Sequence, residues 1–287
     1  MILKTRKFTT WIHRVEKINL IGRIYLKIIK LLILIFTSFG KKQMLLSNLL
    51  VWLNIQQGKN APVNNEIEVK FVSRFLDLNK ELLLIDIGGH QGSYTDELLN
   101  NFPEANIIIF EASLNKYKVL IDKYKDKKNV SVENFAVSNT SGKGKLYSNS
   151  DKDSLATLYK REEKNRDRLF SHEEDIEIIQ LSEYWSEKLD FQKIDLIKLD
   201  IEGSEFDVIK DLENYLEKIN LVQFEFGEAN ISSRIFFKDF WNIFSQNNFL
   251  IYRYTHTGHL IQIYEYSEYD EFFRYTNYLA VNKNFNY

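Results

Sequence analysis

The stretch Leu82–Gly92, LLLIDIGGHQG, decides how the rest of the chain is read. An apolar run ends around Asp86, and Gly88, Gly89 and Gly92 follow at once. The next residues, SYTDELLNNF, suit a helix. An apolar run of this length, closed by glycines and followed by a helix, predicts a buried strand feeding a tight turn and a helix N-terminus. Many α/β proteins hold a nucleotide-like ligand at such a turn.

Working outward, strand and helix alternate. Strands are expected at Leu82–Ile87, Asn106–Phe110, Val130–Val137, Ile194–Leu199 and Leu221–Phe226. Helices fit at Ser93–Asn101, Ser113–Tyr124 and Ser204–Lys218, the last with capping-box spacing between Ser204 and Asp207. This alternation predicts an α/β fold, a mostly parallel sheet with helices on both faces. After a helix at Ile235–Gln246, FLIYRY-THTGH-LIQIYEY reads as a hairpin, and Tyr278–Val281 as a final edge strand. Residues 138–180 form a long charged connection, and connections of that length are usually functional. Its Ser154, Leu155 and Lys160 mark it as a candidate lid over an acceptor site.

Upstream, residues 1–50 carry ten Lys/Arg and one acid, Glu16, or +9; the whole chain is −2, so the rest is −11. Ile18–Phe36 is rich in Ile and Leu but holds Arg23, Lys27 and Lys30. The longest uncharged run there, Leu31–Gly40, is short of the roughly 20 apolar residues of a bilayer span. Residues 1–50 therefore read as a basic amphipathic helical extension. It packs on its own domain, lies on an anionic membrane surface through residues 1–45 or docks on a partner, with a spanning anchor the least favoured reading. Residues 51–287 read as the main domain, with its core at 82–282. An acidic body argues against a nucleic-acid partner. With no cysteine there is no disulfide framework, thiolate metal site or cysteine nucleophile.

The glycine spacing, G-G-x-x-G, departs from the G-x-G-x-x-G of dinucleotide sites, and Ser93-Tyr94 stands where a phosphate loop has Lys-Ser/Thr. An acid at the entrance repels a pyrophosphate and suits a cation. S-adenosylmethionine carries a sulfonium and no phosphate. Glu111 ends strand two, nineteen residues after Gly92, where a carboxylate holds ribose hydroxyls.

Taken together, LLLIDIGGHQGSYT, IIIFEAS, VENFAVSN, IDLIKLDIEGSEFDVIK, LVQFEF and NYLAVN resemble the FkbM-type S-adenosylmethionine-dependent methyltransferases over roughly Leu82–Asn282. KLDIEGSE, Lys198–Glu205, is the most specific segment. The resemblance implies a class I methyltransferase (Rossmann-like) fold. It also implies O-methylation of a sugar hydroxyl in a surface polysaccharide or glycolipid precursor. By position, Asp86, Gly88 and Gly92 line the methionine part, with Gly89, His90 and Tyr94 in the same loop. Glu111 takes the ribose, flanked by Ala112 and Ser113, and Asn134, Phe135 and Ala136 lie near the adenine. Gly89-His90 stand where the family usually has Ala-Asn, and Ala112 where it often has Pro.

A sugar hydroxyl needs help in losing its proton. Asp200 ends strand four at the ligand-binding edge of the sheet, Glu202 follows, and Glu225 ends strand five. These three acids are candidates for base, acceptor anchor or ligands of a hard divalent ion; no metal is assigned. His256, on the hairpin turn, is a further candidate base. The expected setting is the cytoplasmic side, peripheral to the membrane. Two rivals are a nucleotide-dependent oxidoreductase, which would want the unbroken dinucleotide spacing, and a non-catalytic ligand-binding module.

Overall fold

The computed structural model describes residues 27–28, 31, 40–60, 63–77, 80–149, 156–159 and 172–285. In chain order the elements are α1 (Gly40–Gln56), α2 (Asn65–Val72), β1 (Leu83–Ile87), α3 (Ser93–Asn101), β2 (Asn106–Phe110), α4 (Leu114–Tyr124) and β3 (Val130–Glu133). Next come β4 (Ala136–Ser138), β5 (Gly142–Ser148), β6 (His172–Gln180), α5 (Leu181–Leu189), β7 (Ile194–Leu199), α6 (Glu205–Asp211) and β8 (Ile219–Phe226). The chain closes with α7 (Ala229–Ser233), α8 (Phe237–Gln246), β9 (Phe249–Tyr254), β10 (Leu260–Ile263) and β11 (Thr276–Asn282).

Eight strands make the main sheet, in the order β10-β9-β11-β8-β7-β1-β2-β3. From β3 to β8 all neighbours are parallel. All five residues of β1 and all six of β7 are buried, as the apolar runs require of strands covered on both faces. One face packs on Trp185, Phe237, Phe240 and Phe244, with Phe224 stacked 4.7 Å from Phe240. The other packs on Phe71, Tyr94, Leu98 and Tyr124. Each such side chain contributes about 1.5–3 kcal/mol on burial. The sheet is thus the rigid body from whose strand ends the site is hung.

The structure departs from the sequence reading in four places. The strand expected at Val130–Val137 is two strands. β3 stays in the main sheet, and β4 leaves it for a small sheet ordered β4-β6-β5. Between them Asn134 donates its amide to the carbonyls of Glu111 (2.8 Å) and Ala112 (3.0 Å), which turns the chain away. The last strand is not at the edge: β11 lies antiparallel between β8 and β9 with all seven residues buried. Ser204 does not cap its helix, which is α only to Asp211 and then 3-10 over Glu213–Lys218. Glu205 closes that turn instead, accepting the backbone N–H groups of Ile201 and Gly203, each at 2.9 Å. Finally, the 138–180 connection contains the β5–β6 pair. The basic helix expected at 18–36, and Ser154, Leu155 and Lys160, fall almost wholly outside the described residues. The helix that is described, α1, crosses the boundary placed at residue 50.

Candidate active site

β1, β2, β7 and β8 end on one side of the sheet, and there a cleft opens with about 550 Å3 of empty space, part of it open solvent. Gly88 floors it with φ +90; a Cβ there would meet the Asp200 carbonyl oxygen at 2.1 Å, so only glycine lets the β1 and β7 turns approach. Gly88 and Gly89 both donate to the Phe110 carbonyl, which ties the loop to the end of β2.

Glu111 lines the cleft, 6% exposed. Its Oε2 accepts the His90 N–H at 2.8 Å and its Oε1 the Ser113 N–H at 2.9 Å. Each oxygen keeps a further lone pair for a ligand hydroxyl. Burial pushes its pKa above the ordinary value, against Lys116 and the two N–H donors. The walls above it are apolar: Phe135, Ala136, Val137, Leu146 and Leu158.

Ser204 is fully buried, lines the cleft, and its hydroxyl has no hydrogen-bond partner. A buried hydroxyl left so costs about 1–3 kcal/mol, a cost that a ligand hydrogen bond removes. An apolar slot and a carboxylate with free lone pairs are the chemistry that an adenosyl group would need. Lys116 and the Ala156–Leu158 segment also line the cleft. Thr157 seats that segment, donating to the Glu202 carbonyl at 2.8 Å, and the Tyr159 hydroxyl bonds Asp207 at 2.7 Å.

At the other end of the cleft stands Asp200, its side chain 43% exposed. Behind it is a cation that the sequence reading passed over: Lys198, buried, with its ammonium 3.2 Å from Asp200 and 3.4 Å from Asp86. It also lies over the Tyr94 ring, 5.1 Å from the centroid. Burial works against its charge, yet Asp200, Asp86 and Glu68 together hold its pKa above that of an ordinary lysine. Glu68, accepting from Gln223 at 2.6 Å and from Asn277, is pushed by burial up to about 7. Burial, then the charges of Asp200, Glu202, Glu205 and Glu68, push the partly exposed Glu225 well above the carboxylate range. Burial and these neighbouring charges thus disfavour its charged form.

Several expected contacts take another form. Asp86 does not line the cleft: it is fully buried, accepting from Thr95 Oγ1 at 2.7 Å and facing Lys198. Gly89 packs on Ile109 and Leu120. The carbonyl of Gly92 accepts the Tyr124 hydroxyl, and Tyr94 donates to Gln223, both behind the wall. Ser113 and Asn134 shape the cleft through their bonds to the Glu111 region, without lining it. Gly88, His90, Glu111, Ala112, Phe135, Ala136 and Asp200 do line it; Glu202 and Glu225 stand beside it. His256 is elsewhere: it is held at the Ile55 carbonyl, 3.2 Å away, beyond β11 and β9. A charge-bearing residue inside an apolar strand, as Lys198 is in IKL, was the signal that could have found the missed cation. Among the described residues no three His, Cys, Asp or Glu are grouped to hold a metal.

Strand order β3-β2-β1-β7-β8, continued by an antiparallel β11 and then β9, with a ligand cleft at the carboxyl ends, defines a class I methyltransferase. The chain belongs to the FkbM methyltransferase family: the model of the methyltransferase FkbM domain matches residues 86–251, more than half of its length. No curated protein matches it. Among solved structures it is similar to the precorrin-6Y C5,15-methyltransferase of Geobacter metallireducens GS-15 (9% identity, TM-score 0.41, covering 76% of this chain and 88% of that one). It is also similar to the TrmK protein of M. capricolum in complex with S-adenosyl-homocysteine (13%, 0.40, 76% and 68%). A third is the CurJ carbon methyltransferase (10%, 0.43, 80% and 58%). Likeness at this level says nothing about what this chain methylates.

Proposed function

We propose that this protein transfers a methyl group from S-adenosylmethionine to a hydroxyl of a sugar, in a surface polysaccharide or glycolipid precursor, on the cytoplasmic side of the membrane. The observation that carries the reading is one cleft shared by Glu111 and Asp200, with Lys198 paired to Asp200 from behind.

Glu111 holds the ribose hydroxyls, Phe135 and Ala136 flank the adenine, and Ser204 supplies a hydrogen bond. When bound, S-adenosylmethionine supplies an electrophilic methyl on sulfonium; the products are a methyl ether and S-adenosylhomocysteine. Asp200 takes the acceptor hydroxyl's proton on its open carboxylate. Lys198 is the fixed cation that keeps Asp200 aimed into the cleft. Glu225, beside the cleft, anchors an acceptor oxygen. The Ala156–Leu158 segment walls out water. Most of the rate gain comes from holding the acceptor oxygen in line, which a rigid strand end does well.

Calorimetry with S-adenosylmethionine and with NAD, then turnover to S-adenosylhomocysteine with candidate glycans, tests this. Binding of S-adenosylmethionine alone, with methylated glycan as product, is expected. Preference for NAD, or donor binding without transfer to any glycan, rejects it. Mass spectra of surface glycans with and without the gene name the acceptor.

A further inference from the structure

The α1 helix is the least covered element of the described chain. Met44, Leu45, Leu49, Leu50, Val51, Trp52 and Leu53 each expose 43–65% of their surface. At 3.6 residues per turn these positions go round the whole helix, not along one stripe. A helix apolar all round is one that protein or lipid covers. A helix bare on all sides suits immersion in lipid, yet seventeen residues span only about 25 Å, short of the roughly 30 Å hydrocarbon core. No helix among the described residues is long and apolar enough to cross a membrane. Charge says which lipid. Residues 17–56 hold six Lys/Arg and no Asp or Glu, and Lys41 and Lys42 open the helix.

Among the described residues, the hydrogen bonds that tie the helix to the domain lie at its far end. The Gln57 carbonyl accepts from Arg253 at 2.7 Å, the Ile55 carbonyl faces the His256 ring nitrogen, and Lys59 donates to the Tyr269 carbonyl. Arg253 lies at the carboxyl end of β9, which runs parallel to β8 because both are antiparallel to β11. The α1 base therefore sits on the same edge of the sheet as Asp200 and Glu225.

We infer that α1 docks this protein on an anionic lipid surface with the cleft edge turned toward it. On the reading of a sugar methyltransferase, on which this step rests, the acceptor is then a lipid-linked sugar met at the bilayer and not a free glycan. Vesicle flotation of the full chain tests the docking without any turnover. Recovery with phosphatidylglycerol vesicles, little with pure phosphatidylcholine, and a tenfold or greater loss in Leu49→Glu/Trp52→Glu/Leu53→Glu are expected. In the wild type, brominated lipid should quench tryptophan emission, and Trp52→Phe should weaken that quenching.

Failure to float, or a dimer in solution that the triple variant dissociates without any lipid binding, overturns the docking. With labelled S-adenosylmethionine and a membrane extract, label should enter the organic-extractable fraction and fall at least tenfold in the triple variant. Label confined to water-soluble glycan, at a rate the variant leaves unchanged, overturns the lipid-linked acceptor while methyl transfer stands. Flotation without S-adenosylmethionine binding overturns methyl transfer while the docking stands.

Discussion

The ends of β1 and β7 lie side by side, and each presents an aspartate to the same lysine. Asp86 is sealed, its side chain wholly inaccessible and bonded to Thr95; Asp200, with 43% of its side chain exposed, opens into the cleft. The two carboxylates share a cation and differ in what water and ligand can reach. The sealed one holds Lys198 in place; only the open one can touch a substrate. Position at a strand end does not by itself make an acid catalytic.

The sharpest way to break this comparison is to neutralise each acid in turn. Asp200→Asn should lower turnover by about 10²–10⁴, the range for a general base, with S-adenosylmethionine affinity unchanged by calorimetry. Asp86→Asn should instead cost about 3–5 kcal/mol of stability in urea unfolding, as when one partner of a buried ion pair is removed. Equal effects of both changes on turnover, with stability intact, would erase the distinction.

Smaller changes sharpen it. Glu111→Ala should weaken S-adenosylmethionine binding tenfold or more, about 1.4 kcal/mol, and unchanged affinity would refute its ribose role. Ser204→Ala should weaken the same binding by about three- to tenfold while raising the melting temperature of the ligand-free protein, because it removes an unpaired buried hydroxyl. A purely structural serine would not separate the two readouts.

The pH dependence of stability probes the buried glutamates around the same lysine and strand ends. Burial pushes Glu68 up to about 7 and Glu205 up to about 8, against about 4.3 for an unfolded glutamate. Between those limits the folded chain keeps protons that the unfolded chain has lost. Stability therefore falls as pH rises from about 4.3 to 8, then levels for these two groups. Melting temperatures from pH 5 to 8 should show that slope, and Glu205→Gln should flatten it; a slope that survives would move its cause elsewhere.

Much of the geometry around the glycine turn was legible. The glycine turn, the β2 acid and the strand-helix alternation are local patterns, and local chemistry sets them: only glycine fits at Gly88, and only an apolar run survives burial on both faces. The acceptor half was read less well. Lys198 was quoted within its motif and given no part, because its role depends on acids brought by β1, by α2 and from beyond β7. His256 looked free in a turn and proved to be held by the backbone of a helix two hundred residues earlier. β11 was set at the edge because an alternating pattern tells which way side chains face, not which neighbours a strand takes.

By itself, the sequence determined the fold class, the ligand turn and the candidate acids, since these follow from residue size, backbone freedom and period. Only the tertiary structure decided which acid is sealed and which is open, that one lysine serves both, and that the base of an apolar helix sits on the same edge of the sheet as the cleft. Burial and pairing are properties of the assembled neighbours, and no single segment carries them.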